Sequence, residues 1–452
     1  MDVMRREWKG AGRWRVVAAI AALSIAAACS EVTSSPPAVT ADADAWSGGT
    51  LVLRSDGFAG ADTLPVVTVG GRSLAVRSFG AESVAVQLPD TNGAITMGLQ
   101  LTTGAAPSPL AVRVHGFRAL APGPRVDGDP YPWPAGGVPT ALAFQDGRLV
   151  RLDYRDNTAL PLTADTNLYS SCLSGPAPSA TEAGLVTVAP ADSAGTGMTF
   201  CHKVIAVPTS AGAADTAWST GDYRPSVHLA RERWLITGHS GVGARLEWKL
   251  AGGAVASTQI CTEAYRVSVS PRGDRVALTC TDSLSPVVDP AGPTVAFVLP
   301  VRRASNAAFT PAGDTLFAVG SDASGHAVLA SADATTGTLL RLTPLAWLGG
   351  PGTALVADPG RPWLYVWSND TIPPYLPLLE VRNRSTLAHV ATLRVPAAAA
   401  QAGPAAAFWG DSWTMLVNSA DRKLLVTAAI GSGATITTPS PATWVLSFDL
   451  MP

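Results

Sequence analysis

The sequence predicts an all-β protein: a small β-sandwich followed by a β-propeller, with seven blades as the expected number. Three observations predict it. Alternating apolar segments recur every 8–12 residues from 46 to 118, the spacing of a small sandwich. From residue 139 a strand–turn–strand pattern returns every 40–50 residues, the period of a propeller blade. Long amphipathic segments rich in Glu and Lys are absent, which argues against helical bundles and coiled coils. The length of 452 residues suits one large domain plus a small one.

Residues 1–28 come first. Arg5, Arg6, Lys9, Arg13 and Arg15 make a basic start, and 16–28 is a run of 13 small and apolar residues interrupted only by Ser24. Such a run is too short to cross a bilayer, which takes about 20 residues, and has the size of a secretory signal core. Ala26, Ala27 and Ala28 then precede Cys29. This junction resembles the lipobox of bacterial lipoproteins, with Ala26 where that family favours Leu. The resemblance implies a signal peptide at 1–28, cleavage before Cys29, and a diacylglyceryl group on the Cys29 thiol. Ser30 after the cysteine implies sorting to the outer membrane of a Gram-negative envelope. The alternative is an ordinary secretory signal cleaved near Ala28, with Cys29 incidental.

Residues 29–45 are mostly Ser, Thr, Pro, Ala and Asp, the composition of a flexible tether. The stretch 46–118 follows. Thr50–Arg54 alternates, Val66–Val69 and 74–76 flank a Gly70-Gly71 turn, and 83–88 and 97–102 alternate again. Gly49, the Gly57-Phe58 pair, Val-Thr-Val-Gly-Gly at 67–71 and Leu88-Pro89 before a Gly turn together resemble the IPT/TIG immunoglobulin-like family. That family implies a spacer or binding module and no chemistry. Residues 119–138 hold five Pro and four Gly, which reads as a linker.

The repeat after 139 is clearest at 266–278 and 306–319, each a strand, a Ser/Thr-Pro-x-Gly-Asp turn and a strand, with Gly273 and Gly313 40 residues apart. The stretch 354–366 repeats the form around Gly360, and 405–417 more loosely around Gly410. Upstream, 141–150 is expected to carry the same turn at Gly147, with weaker copies at 186–192 and 227–236. Pro sets φ early in such a turn and Gly accepts positive φ later. The Pro-x-Gly-Asp turns resemble those of YVTN-type, lactonase-like and PQQ-like propellers, which implies seven four-stranded blades over 139–452. A sandwich array, or a ring of six or eight blades, is the alternative. The segment 443–450 is placed to close a ring.

Four cysteines remain beyond Cys29: Cys172, Cys201, Cys261 and Cys280. An even number in an exported chain points to disulfides, and four allow three pairings. The sequence-local pairs are Cys172–Cys201 and Cys261–Cys280. Buried thiols are the alternative, and a zinc site has no CxxC or CxxH spacing to support it.

The net charge is −2, and about −5 once residues 1–28 are removed, so electrostatic attraction to nucleic acid is not expected. Gly-His-Ser-Gly-Val-Gly at 238–243 misses the G-x-S-x-G elbow by one position and reads as a turn. His115, His202, His228, His239, His326 and His389 show no ligand spacing. The Arg272-Gly273-Asp274 triplet lies inside the repeat turn, and the sequons at Asn369 and Asn383 carry no functional weight here. Trp363, Trp367, Trp413 and Trp444 fall in strands and read as packing residues. No catalytic, cofactor or metal residue is assigned. The expected function is a lipid-anchored envelope protein whose propeller is a non-enzymatic platform for a protein or carbohydrate partner. A lactonase-, hydrolase- or lyase-like enzyme with its site in the central channel is the alternative.

Overall fold

The structure is a computed structural model. It describes residues 38–41, 45–59, 63–89, 93–100, 109–126, 131–135, 138–163, 168–169, 184–190, 203–207, 215–219, 225–230, 233–237, 244–249, 255–261, 264–280, 284–289, 294–345, 353–369, 377–395, 413–418, 421–429 and 442–450. Most of them lie in strands, so the all-β expectation holds. The tether apart from 38–41 and 45, together with residues 1–28, lies outside the described residues.

The chain divides into two compact units, 1–42, 52–86 and 96–111 in one, and 43–51, 87–95 and 112–452 in the other. The strands of residues 40–115 form two sheets. One has the order 40–41, 50–54, 83–87, 76–79, and the other 45–46, 110–115, 93–100, 66–69, 72–73. Alternation sets the burial. Leu53, Val67, Val84, Val86 and Met97 are buried, while their chain neighbours are more exposed. Phe58, on a short 3-10 turn, is buried edge-on against Phe79.

In the second unit the strands form antiparallel meanders in chain order: 131–161, 168–219, 225–261, a seven-stranded sheet over 264–344, and 354–394. The seven-stranded sheet contains the 16-residue strand Thr294–Phe309. Its first part pairs with Leu284–Asp289 and its last part with Thr315–Ser321. Arg303, with φ 46°, lies between the two parts. Divided there, the sheet is two four-stranded meanders, the fourth and fifth. A last sheet joins Trp413–Asn418, Lys423–Ala429 and Ala442–Asp449 to Phe117–Arg125, far upstream. The described residues thus hold seven four-stranded meanders.

Residues 119–138, read from their Pro and Gly content as a linker, hold most of the strand Phe117–Arg125 and all of Tyr131–Ala135. Proline is tolerated in the first of these because it is an edge strand, paired on one side only, with Ala442–Asp449.

Apolar clusters fill the space between successive meanders. Leu316 and Ala318 face the fourth meander, while Phe317 and Val319 on the same strand face the sixth. Burial on both faces explains the unbroken apolar run Leu-Phe-Ala-Val at 316–319. Tyr365, Trp367 and Leu379 join Leu424, Val426 and Phe448 between the sixth and seventh meanders. Ala141, Val150 and Leu152 of the first meander share a core with Leu416, Leu425 and Val445 of the seventh.

The repeat turns are built as the sequence implies at 273 and 313. The Gly273 N–H donates to Ser270 C=O, Gly313 N–H donates to Thr310 C=O, and both glycines have φ near +70°. The turns also touch, since a Cβ on Gly313 would come within 2.8 Å of Ser270 Oγ. The turn at 147 differs from them. Asp146 and Gly147 both have positive φ, which makes a two-residue hairpin turn, and it joins the second and third strands of its meander instead of the first and second. Gly410 lies outside the described residues.

Candidate functional site

A cavity of about 660 Å³ opens along the seam between the seventh and first meanders. Its floor is one face of the seventh meander. Val445, Ser447 and Asp449 alternate onto that face, with Leu425 and Lys423 opposite Ser447 and Asp449 on the next strand, and Ala121 and Ala119 opposite Val445 and Ser447 on the edge strand. The two alanines leave the space that larger residues would fill.

The far wall is the turn at 154–157, whose own polar residues shape it. Asp153 Oδ1 accepts from the Arg155 N–H, Asp156 Oδ1 accepts from the Thr158 N–H and hydroxyl, and Asn157 adopts φ 60°, a conformation asparagine tolerates. The Asn157 side-chain amide donates to Pro122 C=O at 3.0 Å, which ties the turn to the edge strand. Asn418 closes another side. Its amide donates to Asp421 Oδ2 at 2.7 Å, and its Oδ1 accepts from the Asp421 N–H.

Charge is concentrated here. Burial pushes the Asp449 carboxyl upward, but hydrogen bonding from His115, the Arg118 charge and the Gly116 N–H outweigh it, so the group is held below the usual carboxylate range. The Arg155 guanidinium, bonded to Asp153 through Nε and a terminal nitrogen, holds that carboxyl down as well. Lys423 and Arg113 have no ion pair among the described residues. Two hydroxyls are buried behind the wall. Burial raises the Tyr154 hydroxyl well above its ordinary range, and the approach of Thr427 offsets part of this without closing to a hydrogen bond. Ser447 Oγ is buried without a partner among the described residues. An unpaired buried hydroxyl costs about 1–3 kcal/mol, so two packed beside one cavity mark the region as unusual.

Comparison of the chain with protein-family models and with curated proteins gives no match.

Of the residues singled out from sequence, His115 reaches the site, through its contact with Asp449, and the other described ones lie elsewhere. Cys261 and Cys280 are joined in a disulfide with Cα atoms 6.4 Å apart, which links the last strand of the third meander to the second strand of the fourth. Cys29, Cys172, Cys201, His202, His239 and the 238–243 motif lie outside the described residues. His115 is buried and stacked on Trp46 at 5.0 Å, His326 is exposed beside Asp322, and His389 bonds Thr392 Oγ1. His228 is placed on the strand Pro225–Ala230. Trp367 is fully buried in the core and edge-on to Phe448. Among the described residues no group of three His, Cys, Asp or Glu is placed to hold a metal.

Sequence reading missed the cavity residues. Asp449 and Arg118 stand more than 330 residues apart, and only the pairing of the edge strand with the last strand brings them together. One local signal was available, the Asp-Asn-Thr turn at 156–158.

Proposed function

We propose that this is a lipid-anchored cell-envelope protein in which a seven-bladed β-propeller on an immunoglobulin-like stalk serves as a non-enzymatic binding platform. The observation that carries the reading is the seam between the first and last meanders. They share a core, and the seventh draws its outer strand, Phe117–Arg125, from upstream of the first. A ring of blades removes free inner sheet edges, and joining the two chain ends in one blade locks it. The order of two sheets over 40–115 followed by the meanders fits a stalk leading into a platform. The anchor rests on the 16–28 apolar run and Cys29.

The test is expression in a Gram-negative host, wild type beside Cys29→Ser, followed by intact mass and membrane fractionation. A lipid-modified mass on a chain starting at Cys29, lost in the variant together with membrane association, supports the anchor. A soluble, unlipidated mature chain overturns it. Electron micrographs of the purified chain with a seven-fold ring support the propeller, and an open array overturns it.

A further inference from the structure

We infer that the cavity on the seam between the seventh and first meanders binds a singly charged, hydroxyl-rich ligand, a saccharide of the uronic-acid kind. The inference rests on the reading of the chain as a binding platform and names what the platform takes.

The charge pattern selects the ligand. Each lining carboxylate is already engaged: Asp449 by Arg118, His115 and Gly116, Asp421 by Asn418, and Asp156 by Thr158. Lys423 and Arg113 have no such engagement among the described residues, so the open positions on the wall are cationic donors. A neutral ligand leaves both cations without a counter-charge. A multiply charged phosphate meets three carboxylates on the same wall, and like charges brought together oppose binding. A single carboxylate supplies a counter-charge at the cationic positions, and sugar hydroxyls, which both donate and accept, match the Asn and Asp groups around them. The volume of about 660 Å³ falls inside the rough range of 300–1,000 Å³ typical of small-ligand sites.

The test is an NMR titration of the mature chain with methyl glycosides of glucuronic, galacturonic and mannuronic acid. Methyl glucoside and inorganic phosphate serve as comparisons. At least one uronide is expected to bind about tenfold more tightly than either comparison, and Lys423→Met to weaken that binding about tenfold. Arg113→Gln, at an exposed position, is the second variant and is expected to weaken binding with the melting temperature unchanged. Phosphate or methyl glucoside binding as well as the best uronide overturns the inference. So does failure of every uronide to bind at millimolar concentration, or unchanged uronide affinity in both variants. None of these outcomes alters the fractionation of Cys29→Ser, so a wrong ligand and a wrong anchor are told apart.

Discussion

Asp449 and Gly116 hold each other across 333 residues of chain. The Asp449 N–H donates to Gly116 C=O at 2.9 Å, and the Gly116 N–H donates to the Asp449 carboxylate at 3.4 Å. Arg118 and His115 bind the same carboxylate, so the edge strand and the last strand are joined by side chains at one end and by backbone pairing along their length.

Asp449→Asn is therefore expected to destabilise the protein by about 1–3 kcal/mol at neutral pH, the range for hydrogen bonds to a charged group and for a buried partner left unpaired. The sign with pH follows from the lowered folded-state pKa of Asp449. Its stabilisation is present above the unfolded value of about 3.9 and is lost as pH falls through the lower folded value. Urea unfolding of wild type and variant from pH 7 to pH 3 measures this. The gap should narrow below about pH 4, and a gap constant with pH would rule out the carboxylate as its source.

The Cys261–Cys280 bridge closes a loop with a sequence separation of 19 and joins two consecutive meanders. In the chain-entropy model a loop of this size stabilises by roughly 3 kcal/mol. The double substitution Cys261→Ala, Cys280→Ala is expected to lower the guanidinium midpoint accordingly, and reductant to lower the wild-type midpoint while leaving the variant unmoved. A wild-type midpoint insensitive to reductant would refute the bridge as a stabilising link.

Local chemistry was legible in the sequence and long-range closure was not. The Pro-x-Gly-Asp turns at 273 and 313 form as their residues dictate, and the apolar run at 316–319 becomes a strand buried on both faces. The sequence-local pairing of Cys261 with Cys280 also forms. The strands in the Pro-rich stretch 119–138 were not legible, because proline breaks the interior of a sheet yet is tolerated at its edge, and composition does not tell the two apart. Gly147 misled for a related reason: a Gly after Asp serves a two-residue hairpin as readily as the repeat turn. The cavity was out of reach, since Arg118, Tyr154 and Asp449 come from three distant stretches that meet only on folding.

Glu380 and Arg382 lie two residues apart on one strand, and both are buried. The Arg382 Nε donates to Glu380 Oε2 at 2.8 Å, and Nη1 donates to Leu387 C=O at 3.0 Å. Leu387 has φ 58°, so the arginine also secures a turn that leucine adopts reluctantly. Removing one partner of a buried ion pair costs about 3–5 kcal/mol, whereas replacing both with apolar residues is often near neutral. Arg382→Met alone should lower the melting temperature more than Glu380→Leu with Arg382→Met. Calorimetry of the two variants decides, and a double variant as unstable as the single one would show that the turn contact outweighs the ion pair.

Ser447 carries a buried hydroxyl that the described fold leaves unused. Its buried hydroxyl has no hydrogen-bond partner among the described residues, and its strand is already held by pairing on both sides, with Ala119 and with Leu425. Removing that oxygen takes away an unsatisfied polar atom and no internal bond, so Ser447→Ala is expected to be neutral or stabilising by up to about 1 kcal/mol. The variant should therefore melt no lower than wild type, and thermal unfolding of the two measures it. Lower stability in Ser447→Ala would mean that the hydroxyl holds the strand after all.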